Sequence, residues 1–150
     1  MDHHDRKPTI LVVEDNAALR RLIVRMLNDG GFATLAAGKA ADGLSLVRQH
    51  RGALDLAIID MVMPGMSGLD LATDLDREYP DLKILYTSGY VDSVAADVLS
   101  RRSPDCVLLK PFSEQALLER VHMLLQPAPR REPGQASGRV APKIRSGTLG

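Results

Sequence analysis

Ala57-Ile58-Ile59-Asp60-Met61-Val62-Met63-Pro64-Gly65-Met66-Ser67-Gly68 is the stretch on which the fold turns, an apolar run that ends in one aspartate and then breaks into a Pro-Gly turn. An uninterrupted apolar run of this length reads as a strand covered on both faces, the habit of parallel sheets. An acid directly after it stands at the strand's carboxyl end, the edge where open parallel sheets gather their ligands. Pro64-Gly65 turns the chain, and Ser67 with Asp70 three residues on reads as a helix start resembling a capping box. Taken alone, such an acid is as readily a turn cap as a reactive group.

Four more runs of the same kind surround it. Thr9 to Val13 closes in Glu14-Asp15-Asn16, Phe32 to Ala37 is a weaker second strand, and Leu54 to Asp60 is the third. Leu82 to Thr87 is the fourth and ends in Ser88-Gly89; Cys106 to Leu109 is the fifth and ends in Lys110-Pro111-Phe112. Between them lie amphipathic stretches. Leu19, Leu22, Ile23, Met26 and Leu27 keep a helical spacing that puts Arg20, Arg21 and Arg25 in water, until Gly30-Gly31 stops the helix. A second helix is expected from Gly38 to about His50, a third from Ser67 to Pro80, a fourth over Val91 to Leu99, and a last one after Ser113 as N-cap. Five strands alternating with five helices predict a doubly wound five-stranded parallel sheet with helices on both faces, because parallel strands need crossover connections.

The 150 residues suffice for one domain with a real core. A single cysteine, Cys106, in an apolar run excludes a disulfide framework and suits a reducing compartment. No apolar run is long enough to span a bilayer, and residues 1–8 form a polar extension without a secretory signal, so a cytoplasmic location is expected. The zero formal net charge hides an asymmetry. Residues 127–150 carry Arg130, Arg131, Arg139, Lys143 and Arg145 against Glu132, a net of +4, which leaves −4 on residues 1–126. An acidic body argues against a general nucleic-acid surface, and the basic tail, rich in Gly, Pro and Ser, is expected to be disordered.

Glu14, Asp15, Asp60, Ser88 and Lys110 each close a predicted strand, and in a parallel sheet those ends share one edge. Three acids, a hydroxyl and a lysine on one edge exceed what capping explains. Carboxylates at close range repel, so protons or a cation must neutralise them. An all-oxygen set favours a hard cation, and magnesium, held by one or two carboxylates together with a phosphate, fits so sparse a cluster better than calcium. Lys110 adds a point charge suited to a phosphoryl oxygen. Asp60 can then act as a nucleophile toward phosphorus without a separate base, since an ionised carboxylate already carries its lone pairs.

On Val13-Glu14-Asp15-Asn16, Asp60 through Gly68, Ser88-Gly89 and Lys110-Pro111-Phe112, in that order and spacing, residues 9–126 resemble the receiver domain of two-component response regulators. The resemblance implies a flavodoxin-like fold and a role for each residue. Asp60 would be the phosphoacceptor, served by a sensor histidine kinase or a histidine phosphotransfer protein. Asp15 would bind magnesium directly, Glu14 through water, and Val62 through its backbone carbonyl, with Asp60 completing the set. Lys110 would contact the phosphoryl oxygens, with a cis Lys110-Pro111 bond. Ser88 rather than Thr87 would be the switch hydroxyl, because Gly89 then falls where the family has a small residue. One position departs: the family's Tyr or Phe three residues before the lysine is Val107 here. A readout through the loop after Ser88 and the Tyr90 region is therefore expected.

Two other classes compete. A magnesium-dependent phosphohydrolase working through an aspartyl phosphate resembles a pattern with a second aspartate at position 62, which is valine. A flavin module would need a phosphate cradle where Glu14-Asp15 would repel one. The leading expectation is a signalling module that catalyses chemistry only on itself and then switches a downstream protein target, without direct DNA binding or membrane contact. Residues 127–150 are too few for an output domain, so either a stand-alone regulator or the terminal receiver of a hybrid kinase is expected.

Overall fold

Strands β1 (Thr9–Val13), β2 (Ala33–Ala37), β3 (Leu56–Asp60), β4 (Lys83–Ser88) and β5 (Val107–Leu109) form one parallel sheet in the order β2-β1-β3-β4-β5. This is a computed structural model, and it describes residues 6–63, 65, 67–89 and 104–126. The described helices are α1 (Ala17–Asp29), α2 (Ala40–Gln49), α3 (Gly68–Glu78) and α4 (Glu114–Leu125). The helix expected over Val91 to Leu99 and the basic tail lie outside the described residues.

Every residue of β1 and β3 is buried, as the central position of both strands requires. Alternation along the strands sorts their side chains into two cores. Leu11, Val13, Ala57 and Ile59 pack with Leu44 and Val47 of α2 and Leu71 and Leu75 of α3. Ile10, Val12, Leu56 and Ile58 pack on the other side with Ile23 and Leu27 of α1 and Leu117 and Val121 of α4. The sheet is thus covered on both faces, and the doubly wound expectation holds. Among the described residues, no helix is long and apolar enough to cross a membrane.

The helix starts follow local chemistry. Ser67 and Ser113 cap α3 and α4 as expected, accepting from the N–H groups of Asp70 (3.1 Å) and Ala116 (3.0 Å). Asn16 caps α1 by accepting from Leu19 N–H at 2.9 Å, a cap the hydrophobic pattern alone did not reveal. Several boundaries shift. β3 begins at Leu56 because Asp55 is used elsewhere, its carboxylate accepting from Thr9 N–H at 2.8 Å. Helix α2 starts at Ala40 rather than Gly38, and β4 runs on through Ser88. Cys106, buried as expected, belongs to a short 3-10 turn (Pro104–Cys106) before β5. Leu22, placed on the inner face of α1 by its spacing, is 45% exposed, since the buried stripe there narrows to Ile23 and Leu27.

Candidate functional site

The carboxyl ends of β1, β3, β4 and β5 bring the expected residues to one edge. Glu14 follows β1 and is 2% exposed, whereas Asp15 beside it faces water. Asp60 closes β3 and is 4% exposed. The Nζ of Lys110, directly after β5, lies 2.8 Å from Glu14 Oε1 and 3.2 Å from Asp60 Oδ2. One carboxylate oxygen each from Glu14, Asp15 and Asp60 falls within 4.8 Å of the others. Two of these acids share one lysine and the third, Asp15, stands beside them, so the excess of negative charge suits a hard cation with oxygen ligands. That donor set fits the expected magnesium.

Backbone groups hold the two buried acids. Asp60 Oδ1 accepts from Val62 N–H at 3.1 Å, and Glu14 Oε2 accepts from Asn16 N–H at 3.0 Å. The Val62 side chain is 66% exposed, so this residue meets the site through its main chain. The Glu14 carboxyl is pushed up by burial and by Asp60, against the pull of Lys110 and Asn16. For Lys110 burial works the other way, favouring the neutral amine, but Glu14 and Asp60 outweigh it and hold its pKa above the ordinary value. Lys110 is therefore an ammonium at neutral pH.

Ser88 ends β4 and is 1% exposed; its carbonyl accepts from Lys110 N–H at 2.8 Å. Thr87, equally buried, is the register partner of Asp60, and its carbonyl accepts from Met61 N–H at 2.9 Å. That adjacency depends on strand pairing and carries no local sequence signal. The Lys110-Pro111 bond is cis, as the resemblance implied. Val107 is buried beside Tyr86, its register partner on β4, while Tyr90 lies outside the described residues. Met61 and Met63 join the α2–α3 core, which identifies them as packing residues.

Two further residues shape the site. Gly68 opens α3 so close to β3 that a Cβ there would lie 2.1 Å from the Asp60 carbonyl oxygen. Arg20 does not simply face water: its Nη1 donates to the Glu14 carbonyl at 2.8 Å. The first could have been suspected from a glycine at a helix start; the second had no signal beyond a basic residue one turn into a helix.

Residues 10–122 match the family described as the response regulator receiver domain. The chain is 33% identical over 118 residues to the sensor kinase CckA of Brucella abortus, covering 79% of this chain and 12% of the kinase. It is 32% identical over 117 residues to the DNA-binding response regulator MtrA of Mycobacterium tuberculosis, covering 78% of this chain and 50% of MtrA. It therefore spans half or less of the length of these two relatives. Among solved structures, the response regulator TrrA of Thermotoga maritima, in complex with Mg(2+)-BeF, superposes with a TM-score of 0.68 at 32% identity, over 79% of this chain and 99% of that one. Because the relatives include a DNA-binding regulator, the expectation of no DNA contact has no support and is set aside. A parallel sheet in this order, an acidic edge with one lysine, and a match that runs from β1 into α4 lead to one conclusion: the chain belongs to the response regulator receiver family.

Proposed function

We propose that Asp60 accepts a phosphoryl group from a phosphohistidine on a sensor histidine kinase or histidine phosphotransfer protein in the cytoplasm, and that the modified domain then changes its hold on a downstream protein. The observation that carries this reading is the sharing of the Lys110 ammonium by Glu14 and Asp60, at 2.8 and 3.2 Å, beside a third carboxylate. Glu14, Asp15, Asp60 and the Val62 carbonyl would hold magnesium, an ion that neutralises charge on transferring phosphoryl oxygens when bound. The structure of TrrA in complex with Mg(2+)-BeF supports the pairing of such an edge with magnesium.

The chain's own residues orient and neutralise. Val62 N–H fixes Asp60 Oδ1, and the Lys110 ammonium stands ready to follow a phosphoryl oxygen. As the oxygen–phosphorus bond forms on Asp60, the phosphorus–nitrogen bond of the donor breaks and its electron pair leaves with the imidazole. Ser88, at the end of β4, is the hydroxyl that would report the event. Both readings put a phosphoryl group on Asp60, and the valine at position 62, where a phosphohydrolase would carry a second acid for the leaving group, is what favours this one.

Incubation with a small acyl phosphate and magnesium tests the proposal. One phosphoryl group per chain is expected, with no label on Asp60→Asn. Multiple turnover on phosphomonoesters would instead show a phosphohydrolase.

A further inference from the structure

We propose that Arg20 is a positioning residue for the acid pair: its guanidinium holds the Glu14–Asp15 peptide in the orientation that presents both carboxylates to a cation, and Gly38 is the seat that admits it. The proposal rests on the reading of Glu14, Asp15 and Asp60 as a magnesium site.

Glu14 has four polar positions, and four separate partners hold them. Its N–H donates to the Ala37 carbonyl (3.1 Å), Oε1 meets Lys110 Nζ (2.8 Å), and Oε2 accepts from Asn16 N–H (3.0 Å). The carbonyl is left to Arg20, whose Nη1 donates to it at 2.8 Å. That oxygen lies in the planar unit joining Glu14 to Asp15, so fixing it fixes the backbone entering Asp15. The backbone leaving Asp15 is fixed by Asn16 N–H on Glu14 Oε2. Asp15 itself is exposed, and these two flanking bonds set its direction.

The arginine is anchored at its other end as well. Its own N–H donates to the Asn16 carbonyl at 2.8 Å, inside a first turn already capped by Asn16. Gly38, just past β2, completes the arrangement. A Cβ at that position would come 2.7 Å from Arg20 Nη1, closer than side chains tolerate, with Cζ at 3.4 Å. The atoms it would meet are the far end of a flexible side chain. An alanine there should therefore cost little stability and should instead push the guanidinium off the Glu14 carbonyl.

Charge and positioning predict opposite signs. A guanidinium near three carboxylates repels a cation, so if charge were all that Arg20 supplied, removing it would tighten magnesium binding. If it positions the acids, removal weakens binding, as loss of groups that orient metal ligands does by about ten- to a hundredfold.

The test titrates MgCl2 into the full 150-residue chain, followed by calorimetry and by backbone amide shifts, with no phosphodonor present. Arg20→Met and Gly38→Ala should each weaken the magnesium dissociation constant by about tenfold. The double variant should be no worse than either alone, because both remove one contact. Gly38→Ala should leave the unfolding temperature in EDTA nearly unchanged, and Arg20→Lys should recover part of the affinity. Equal or tighter binding by Arg20→Met, or additive losses in the double variant, would overturn the proposal while leaving the magnesium site intact. A wild-type chain that binds no magnesium, or an Asp15→Asn chain that binds it normally, would bring down the underlying reading and this proposal together.

Discussion

At Asp60 a carboxylate is buried beside a single cation, and Lys110 is the counter-charge that holds it there. The same ammonium serves Glu14, which is more deeply buried still. Removing it leaves two acids without their counter-charge, a situation that costs about 3 kcal/mol when a buried pair loses one partner. Lys110→Met should therefore lower metal-free stability by about that amount at neutral pH. The loss should shrink in mild acid. Burial already raises the folded-state pKa of Glu14, so the stability tied to its protonated form is present at low pH and is lost as pH rises through that value. Urea unfolding at neutral and mildly acidic pH would check this; an equal drop at both would argue that Lys110 matters only through packing. Glu14, Asp60 and Lys110 were legible in the sequence because each directly follows an apolar run, and Asp15 because it stands next to Glu14. Thr87 as the lateral neighbour of Asp60 was not, because register is set by pairing between distant strands. Arg20 was assigned to water because helical spacing describes faces, and a long side chain can reach backward across its own cap.

Among the elements, α3 governs the site most closely. Its first residue, Gly68, lies against the back of Asp60, so that a methyl group would press on the Asp60 carbonyl oxygen at 2.1 Å and on Ile59 Cγ2 at 2.9 Å. Neither neighbour can yield without moving β3 or the helix. Gly68→Ala should cost about 2 kcal/mol, typical of overpacking, and should also slow labelling of Asp60 by an acyl phosphate. A variant with full stability and normal labelling would show that α3 can slide without consequence. Helix starts at Ser67 and Ser113 were readable because a small hydroxyl residue before an amphipathic stretch has a defined local task. The start of β3 was not. Leu54-Asp55 continues the strand pattern, but the Asp55 carboxylate accepts from Thr9 N–H and its own N–H donates to the Thr9 carbonyl at 3.0 Å, which ends the regular ladder there.

For the molecule as a whole, two cores on opposite faces of the sheet carry the fold, and Asp55 ties the chain's beginning to them. Arg6 grips both of its oxygens, at 3.0 and 2.8 Å. The Arg6 guanidinium holds the Asp55 carboxyl below its usual value, against burial and with help from Thr9 N–H. A depressed folded-state pKa contributes stability that is present above the unfolded value, about 3.9, and is lost as pH falls through the folded one. Asp55→Asn should accordingly flatten the acid limb of the unfolding temperature below about pH 4, and added salt should weaken the wild-type effect, since Arg6 is exposed. An unchanged acid limb in the variant would assign that limb to other carboxylates. The alternation of apolar runs and amphipathic stretches made the doubly wound class legible; the strand order β2-β1-β3-β4-β5 needed the long-range pairings themselves. The edge those pairings create is where the molecule's modification is expected, and locating it tests Asp60 most directly. After incubation with an acyl phosphate and magnesium, borohydride reduction of the acid-labile acyl phosphate and peptide mass mapping should place the modification on residue 60 alone. Modification on Glu14 or Asp15, or label that persists in Asp60→Asn, would contradict the assignment.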